Sequence, residues 1–320
     1  MCFLKLIAWQ ENKVDDIVRL WNQELGNDFP MRRALFLQNS FHDINVYYEG
    51  SQLAVDNDGR VIGFIIAKKW QDSLDVNMPN KTGWIQALVV DKEYQGQQIG
   101  SKLLRHAETA LKNQGMEQVL LGRDTQHYFP GIPRPNEWTR KWFETKGYEK
   151  QDTEYDVFNS YDDTSQIVEP KKDDVEFGVL RENEKELFLN FLRRCFPGRW
   201  EYEAIKYFEK NGTGREFVVL RKQEKIIGFC RVNDSKSPVI AQNVYWAPLF
   251  QEELGGIGPL GVDVAERGQG FGLAIVEAGI AELRKRGVQN IVIDWTGLIT
   301  FYKKLGYDIW KTYDSYNKKL

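Results

Sequence analysis

Residues 260–272, Leu-Gly-Val-Asp-Val-Ala-Glu-Arg-Gly-Gln-Gly-Phe-Gly, join an apolar strand to a helix through a glycine-rich turn. We predict the strand from Leu260 to Val264 and the helix from about Leu273 to Arg286, ended by Gly287. Glycines let the backbone turn tightly and approach a ligand closely, and the first turn of a helix presents unpaired N–H groups and the positive end of its dipole. This junction therefore predicts a phosphate site.

A second, weaker copy of the same order of elements lies upstream. A predicted strand at Phe3–Ala8 precedes helical periodicity, a hairpin, the strand Trp84–Val90 and the helix Ile99–Gln114. Val61-Ile62-Gly63-Phe64 aligns with Ile226-Ile227-Gly228-Phe229, and residues 142–148 align with 301–307. Repeats at so long a period indicate duplicated domains, which we place at residues 1–160 and 175–320, with a polar linker at 161–174.

Composition sets limits on the class of protein. The chain has 320 residues, 42% of them hydrophobic, and a net charge of −3, which suits two folded domains and gives no basic face for nucleic acid. Cys2, Cys195 and Cys230 lack the close spacing of a zinc site or a disulfide framework, so we expect reduced thiols and no metal. No run of apolar residues is long enough to cross a membrane, and we expect a cytoplasmic protein.

The spacing Arg-x-x-Gly-x-Gly at residues 267–272, followed by Phe-Tyr-Lys-Lys-Leu-Gly-Tyr at 301–307, resembles the GNAT superfamily of acetyl-CoA-dependent N-acetyltransferases. The resemblance implies an α/β (α+β) chain of two tandem GNAT folds, each a mixed, mostly antiparallel sheet flanked by helices. The two-domain architecture is similar to that of mycothiol synthase. The resemblance also implies acetyl-CoA as co-substrate.

Site residues for acetyl-CoA follow from the resemblance in the C-terminal copy. It implies that backbone groups of Val262 and Val264 bind the pantetheine arm and that the loop cradles the pyrophosphate. A bulge at Gly258, Pro259 and Gly261 would open a slot for the thioester. The implied cofactor-binding residues are Val262, Val264, Arg267, Gly268, Gln269, Gly270, Phe271 and Gly272.

Catalytic residues are harder to assign. Tyr302 stands where GNAT enzymes often place the tyrosine that protonates the departing thiolate; the alternative is a core tyrosine on a helix over 299–304. Because all three histidines lie in the first copy, the second copy must use a carboxylate, a water chain or no protein base. The acidic candidates are Asp263 and Asp294, although either can be a solvated carboxylate at the end of a strand. Trp295 replaces an asparagine that many family members use for the cofactor.

The N-terminal copy departs from the family pattern at two positions. Gln98 replaces the first glycine of the loop, and Phe143 replaces the tyrosine, so we expect this copy to be silent or impaired. The residues that the resemblance implies for cofactor binding there are Leu88, Val90, Gln95, Gly96, Gln98, Gly100 and Ser101.

Further segments are candidates for acceptor binding. An insertion between Gly122 and Trp142 in the first copy, which contains residues 127–135, either lines a pocket or domain seam or packs on the core. Its His127 is suited to proton transfer near neutral pH, but a lone histidine in a loop is usually solvated, which is what we expect. In the second copy the family places acceptor recognition around residues 196–200 and 243–253. Trp200, Tyr202 and Trp246 either wall a pocket there or belong to the core.

We therefore expect an N-acetyltransferase that moves acetyl from acetyl-CoA to a primary amine of a small molecule or peptide, directly in a ternary complex. No cysteine or serine stands in a recognisable nucleophile setting, which agrees with direct transfer. The alternative is a non-catalytic acetyl-CoA-binding sensor or scaffold. A third class, the duplicated GNAT folds that use aminoacyl-tRNA, typically lacks a good pyrophosphate loop.

Overall fold

The computed structural model describes residues 5–162, 164 and 166–320. The chain divides into two compact units. Unit 1 consists of three segments: the residues up to Ser73, Pro79–Glu154 and Thr312–Leu320. Unit 2 consists of Leu74–Met78 and Tyr155–Lys311. Some of our predictions fall outside the described residues, namely those on Cys2, on Phe3 and Leu4 of the first strand, and on positions 163 and 165 of the linker.

Each copy of the fold runs through helices and strands in the same order. The first copy contains β1 (Lys5–Ala8), α1 (Val14–Leu25), α2 (Arg33–Ser40), β2 (Gln52–Val55), β3 (Val61–Lys69), β4 (Thr82–Val90), α3 (Ile99–Asn113), β5 (Gln118–Leu121), β6 (Ile132–Pro133), α4 (Glu137–Thr145) and β7 (Glu149–Ser160). The second contains β8 (Glu176–Val179), α5 (Lys185–Cys195), α6 (Arg199–Glu209), β9 (Phe217–Lys222), β10 (Lys225–Asn233), β11 (Leu254–Val262), α7 (Phe271–Lys285), β12 (Asn290–Thr296), α8 (Ile299–Lys303) and β13 (Asp308–Lys319).

Both units have the mixed sheet that the sequence predicts. In unit 1, β1 to β5 pair in chain order, antiparallel except for the parallel pair β4 and β5. In unit 2, β8 to β12 do the same, with β11 and β12 parallel. The predicted fold class, a mostly antiparallel sheet with flanking helices in each copy, is confirmed.

The last strand of each sheet comes from a distant part of the chain. In unit 1, Asn317–Lys319 of β13 pair with β5, and in unit 2, the end of β7 pairs with β12, with Val157 opposite Ile293. Residues 155–160 therefore belong to unit 2 and Thr312–Leu320 to unit 1, whereas the sequence places the boundaries at 160 and 175. Local patterns carry no record of which sheet a strand joins, because pairing is set by contacts remote in sequence.

Strand alternation places the core of unit 2 on both faces of its sheet. On β9, Val218 and Leu220 pack in the cluster that contains α7, while Phe217 and Val219 pack in the cluster that contains α5 and α6. Side chains two apart share a face, so a run of apolar residues covers both. Each large apolar side chain buried in this way contributes about 1.5–3 kcal/mol to folding.

The helix α7 supports the predicted phosphate loop from the other side. Ile275 and Val276 are fully buried against the sheet, which anchors the helix on the strands that flank the loop. The helix begins at Phe271, two residues before the predicted start, and ends at Lys285, one residue before the predicted end. Helices that could span a membrane are absent from the described residues.

Candidate active site

The candidate active site lies in unit 2 where β11 and β12 part. Their parallel register joins Leu254–Ile257 to Asn290–Ile293 and goes no further among the described residues. On its other side β11 bulges, because the register with β10 shifts between Cys230 and Val232. Gly258 and Pro259 stand in this bulge, as predicted, whereas Gly261 lies outside it and pairs with Phe229. We call the place where β11 and β12 separate the slot.

Beyond Ile257, β11 has no strand partner on its β12 side among the described residues. The Asp263 N–H donates to Ile227 O at 2.8 Å, toward β10. Alternation along the strand then directs the backbone N–H groups of Val262 and Leu260 to the opposite edge, where the pairing with β12 has ended. An extended chain of amides can bind there as an added strand would. The sequence prediction included Val262 and, in unit 1, Leu88, the counterpart of Leu260, but it did not include Leu260.

Two glycines give the loop before α7 its tight turn. Gly268 (φ 85) and Gly270 (φ 78) adopt the left-handed conformation that favours glycine. Gly272 does not have a positive φ, and a Cβ built on it would meet no atom within 4 Å. Since neither conformation nor neighbouring atoms demand glycine at 272, the open space beside it fits close approach by a ligand. This fit supports a diphosphate at the first turn of α7.

Two side chains hold or charge this loop. Arg267 Nε donates to Val262 O at 3.2 Å, and in unit 1 Gln95 Nε2 donates to the corresponding Val90 O at 3.0 Å. The leading Arg or Gln therefore ties each loop to the end of its strand. Lys172 Nζ lies 3.2 Å from the position of a Cβ built on Gly270, which adds a cation beside the cradle of unit 2.

Asp263 is held as an ionised part of the loop. Its Oδ1 accepts from the Ala265 N–H at 3.0 Å and its Oδ2 from Arg194 at 2.6 Å. The hydrogen bond from Arg194 lowers the pKa of Asp263 below its ordinary value. In unit 1, Asp91 makes the same arrangement with the Glu93 N–H and Arg60. Because Asp263 and Asp91 make the same contacts in the two copies, we infer that each holds its loop in shape.

Asp294 lies directly after the last residue of β12 that pairs with β11. Its Oδ1 accepts from Asn243 Nδ2 at 3.0 Å, and a Cβ built on Gly258 in the bulge would lie 3.3 Å from the same oxygen. The side chain is partly exposed. Desolvation by the surrounding protein and the nearby Asp156 carboxylate raise the pKa of Asp294 to about 7. A carboxylate at the slot with such a pKa suits proton transfer near neutral pH.

The backbone turns sharply after Asp294. Trp295 has φ 44, and its N–H donates to Asp156 Oδ1 at 3.0 Å. The Trp295 ring stacks under the Arg199 guanidinium, with 4.8 Å from the ring centroid to Cζ. The tryptophan that replaces the family's asparagine is thus fixed by backbone and ring contacts, and it belongs to the wall of the site.

Tyr302 is a buried phenol. It is 5% exposed and belongs to the core cluster of α7, which favours the core alternative for its ring. Burial, with smaller effects from Cys230 and Asp294, raises the pKa of Tyr302 well above its ordinary value, and a hydrogen bond with Thr296 opposes the shift. The phenol therefore keeps its proton at neutral pH, as a proton donor must.

The corresponding slot in unit 1 is filled by protein. Gln86 stands in the bulge of β4, and it binds Ser40 Oγ at 2.8 Å and Gln126 O at 2.8 Å. Ser40 Oγ in turn lies 2.7 Å from Tyr128 Oη. The loop backbone survives, because Gln98 adopts φ 64 in place of Gly270. The Trp142 ring, however, lies 3.4 Å from a Cβ built on Gly100, where unit 2 has open space.

The insertion of unit 1 packs on its core. Tyr128 is 3% exposed and meets the Trp21 ring edge-on, with 4.8 Å between ring centroids. His127 is 2% exposed, so the expectation of a solvated histidine is wrong. In unit 2, Tyr202 and Trp246 are also buried, which favours the core alternative for both. No group of histidine, cysteine and acidic residues that could hold a metal occurs among the described residues.

Several site residues carried no recognisable sequence signal. Asn243 fell within a segment predicted to bind the acceptor, but one asparagine in a loop indicates no role. Asp156 lies on β7, more than a hundred positions from Asp294 in the sequence. Arg194 meets Asp263 only because α5 packs near the end of β11. The positions of all three become evident only from the sheet topology.

Comparison with known proteins agrees with this fold. The chain belongs to the acetyltransferase (GNAT) family, whose model matches it twice, over residues 14–129 and 185–307. It is thus a tandem GNAT protein and an acyltransferase, as predicted. GNAT proteins generally use acetyl-CoA.

Individual relatives cover different parts of the chain. Mycothiol acetyltransferase of Thermobispora bispora is 27% identical over 149 residues, which are 41% of this chain and 44% of that protein. Two solved structures share the fold across 99% of this chain. One is the glucosamine N-acetyltransferase region of a fungal multi-domain β-N-acetylglucosaminidase (TM-score 0.87, 24% identity, 38% of that chain). The other is a tandem GNAT protein from the clavulanic acid biosynthesis pathway (TM-score 0.68, 13% identity, 98% of that chain).

Proposed function

We propose that unit 2 transfers acetyl from acetyl-CoA directly to a primary amine, with Asp294 as general base and Tyr302 as general acid, and that unit 1 does not catalyse. The observation that carries this proposal is the position of Asp294: a carboxylate beside the slot, with a pKa of about 7. Of the two acidic candidates, Asp263 is the less suited, since its ion pair with Arg194 lowers its pKa.

Binding of acetyl-CoA is assigned to the open edge of β11 and the glycine loop. Backbone N–H groups of Leu260 and Val262 suit the pantetheine amides, and the first turn of α7 suits the diphosphate. Val264 stands at the start of the turn after the strand, with its side chain 74% exposed. The remaining loop residues, Arg267 to Gly272, keep their predicted role, with Arg267 holding the loop in shape.

The proposed chemistry needs two proton movements. Acetyl-CoA supplies an acetyl group activated as a thioester. An amine that arrives as a cation first gives one proton to solvent. Asp294 then takes a proton from the neutral amine as its nitrogen bonds to the carbonyl carbon, and Tyr302 gives a proton to sulfur as the carbon–sulfur bond breaks. The two side chains then exchange protons with solvent. Because a pKa of about 7 leaves Asp294 substantially ionised at neutral pH, the base is ready when the amine arrives.

The acceptor we favour is a small amine, with glucosamine as the first compound to examine. Support comes from the fungal glucosamine N-acetyltransferase region, which resembles this chain over nearly its whole length. The acidic groups near the slot, Asp156 and Asp294, also suit an amine that arrives as a cation. Mycothiol acetyltransferase is matched over less than half its length, so its substrate gives little guidance here.

The test is a thiol-release assay with acetyl-CoA and a panel of amines that includes glucosamine, a peptide N-terminus and an amine-free control sugar. We expect release that depends on an amine and collapses in Tyr302→Phe and Asp294→Asn. Binding of acetyl-CoA without turnover for any amine would instead favour the sensor alternative. A second arm follows N-acetylglucosamine by mass spectrometry, so that slow hydrolysis of acetyl-CoA is not mistaken for transfer.

A further inference from the structure

Asp294 stands at the end of a line of three buried polar side chains. Arg231 Nε donates to Asn233 Oδ1 at 3.1 Å, Asn233 Nδ2 donates to Asn243 Oδ1 at 3.1 Å, and Asn243 Nδ2 donates to Asp294 Oδ1 at 3.0 Å. Asn233 is fully buried, and Arg231 and Asn243 are 5% and 3% exposed. These contacts are therefore shielded from competition with water.

The direction of this line is fixed at its far end. Arginine has donors and no acceptor, so the atom of Asn233 that faces Arg231 is its oxygen. The Asn233 amide then has only N–H groups left to offer Asn243, which must meet them with its own oxygen. Asn243 is in this way obliged to present its N–H group to Asp294. Neither side-chain amide in the line can flip its oxygen and nitrogen without leaving a buried donor or acceptor unpaired, which costs about 1–3 kcal/mol.

Packing holds both ends of the line. The Arg231 guanidinium lies over the rings of Tyr207 and Phe217, at 5.7 and 5.8 Å from their centroids. At the other end, Gly256 makes room for Asn243, because a Cβ built on Gly256 would lie 2.1 Å from Asn243 Oδ1. Gly256 has no positive φ, so its lack of a side chain is used for space and not for backbone conformation.

Unit 1 lacks this line at the matching positions. The strand pair Asn233 and Gly256 of unit 2 corresponds to Lys68 and Trp84 of unit 1, each pair lying just past the bulge. Lys68 donates instead to Asp43 at 2.8 Å and to Asp124 at 2.7 Å, in a fully buried cluster of its own. The line thus accompanies the copy that carries the slot carboxylate.

We propose that Arg231, Asn233 and Asn243 are positioning residues that fix the rotamer of Asp294, keep one donor on its Oδ1 and so leave Oδ2 to accept the proton from the amine. This inference rests on the proposed role of Asp294 as general base. It predicts that a neutral change at Asn233, which does not touch Asp294, alters how Asp294 titrates. A hydrogen bond to the ionised carboxylate favours that form, so its loss moves the titration to higher pH.

Other charged groups face Asp294 and stay constant in the test. They are Asp156 on β7, Glu203 on α6 with its ion-pair partner Arg199, and the phenol of Tyr302 on α8. The variants Asn243→Ala and Asn233→Leu add and remove no charge. A change of pH dependence in them therefore reports on the line itself.

The experiment compares pH profiles of kcat/KM for the full chain, the two neutral variants and Asn290→Ala. Asn290 is a matched control, since it is 6% exposed on β12 and binds Ser160 at 3.0 Å outside the line. We expect the midpoint of the low-pH limb to rise by about 1 in Asn243→Ala and by a smaller amount in Asn233→Leu. Asn290→Ala should leave the midpoint unchanged, whatever it does to stability.

A second measurement does not depend on turnover. The ¹³C resonance of the Asp294 carboxyl carbon, assigned by its loss in Asp294→Asn, should titrate at higher pH in both variants. Gly256→Ala, which crowds Asn243 from outside the line, should also move the Asp294 titration to higher pH. It replaces Asn243→Ala or Asn233→Leu if either variant fails to fold. Midpoints equal to wild type in all folded variants, with Asp294→Asn inactive, overturn the positioning role alone. Full activity in Asp294→Asn overturns the base assignment itself.

Discussion

Gly122 in unit 1 and Asp294 in unit 2 occupy the same place in the two sheets. Each follows the last residue of a parallel strand pair, Leu121 opposite Ile85 in one unit and Ile293 opposite Ile257 in the other. The two positions differ in the space around them. A Cβ on Gly122 would lie 2.0 Å from Phe129 O, so unit 1 has no room for a carboxylate there. The insertion that carries Phe129 has taken the space that unit 2 keeps for the base.

Replacing Asp294 by asparagine should lower kcat by about 10²–10⁴-fold, the usual contribution of a positioned general base. In the wild type, kcat/KM should rise with pH through about 7, because the carboxylate must lose its proton before it can accept one from the amine. The measurement is a pH profile of both proteins between pH 5 and 9. An unchanged low-pH limb in Asp294→Asn would falsify the assignment.

The same variant should be more stable than wild type at alkaline pH. Between the ordinary aspartate pKa of about 4 and the raised value of about 7, the unfolded chain is ionised while the folded protein keeps its proton, so stability falls as pH rises. Asp294→Asn removes that cost. Thermal melts should therefore coincide near pH 4 and show a higher Tm for the variant at pH 8, and equal Tm values at pH 8 contradict the desolvation of Asp294.

Replacing Tyr302 by phenylalanine should lower kcat by about 100-fold while leaving KM for acetyl-CoA nearly unchanged. Burial raises the pKa of the phenol, so wild-type activity should show no loss due to Tyr302 ionisation up to pH 9. Tyr307→Phe is the matched control, because Tyr307 is buried in the same cluster. Phe143→Tyr in unit 1 should create no activity, since Gly122 leaves that copy without a base.

Much of this fold was predictable because local patterns decide its elements. The helix predicted at Ile99–Gln114 is α3, Ile99–Asn113, and the strand predicted at Trp84–Val90 is β4, Thr82–Val90. The strand at the phosphate loop was not: β11 runs from Leu254 to Val262, and Val264 already belongs to a turn. The glycines and the proline between residues 255 and 261 have low strand propensity. The strand forms there because β10 and β12 supply its hydrogen-bond partners, and local propensity contains no information on those partners.

The site divides in the same way. Loop residues such as Gly268 and Gly270 were predictable because a positive φ at a helix start favours glycine, although Gln98 adopts it in unit 1. The environment of Asp294 was not, since Asn243 and Asp156 reach it from remote parts of the chain. A sequence shows which residues can titrate, and only the packing shows which one is desolvated.

Gly272→Leu should weaken coenzyme A binding at least about tenfold without lowering Tm, because the added side chain enters space that no protein atom occupies. Gly100→Leu is the matched change in unit 1 and should leave the affinity of unit 2 intact. Isothermal titration calorimetry gives affinity and stoichiometry for both variants. If Gly100→Leu abolished binding and Gly272→Leu did not, the ligand would be in unit 1.

Lys172→Ala should weaken coenzyme A binding by up to about fivefold at low salt, as expected for one exposed charge near a diphosphate, and less at high salt. Lys171→Ala is the neighbouring control. Pantetheine, which has no diphosphate, should bind both variants equally. A loss of affinity for pantetheine in Lys172→Ala would place the effect on the fold of the loop and not on phosphate recognition.

Asp263→Asn should lower stability instead of chemistry, which separates the two acidic candidates. The carboxylate caps the turn at Ala265 and pairs with Arg194, and loss of such a cap costs about 1 kcal/mol. The Arg194 hydrogen bond lowers the pKa of Asp263, so this stability is present above the ordinary aspartate pKa and is lost as pH falls through the lowered value. Urea unfolding at pH 7 should show a lower free energy of unfolding for Asp263→Asn than for wild type, and this difference should shrink near pH 3.

Because Asp91 holds the loop of unit 1 in the same way, Asp91→Asn should give a similar deficit with no change in kcat. A large fall in kcat for Asp263→Asn, at full stability, would return Asp263 to the catalytic site.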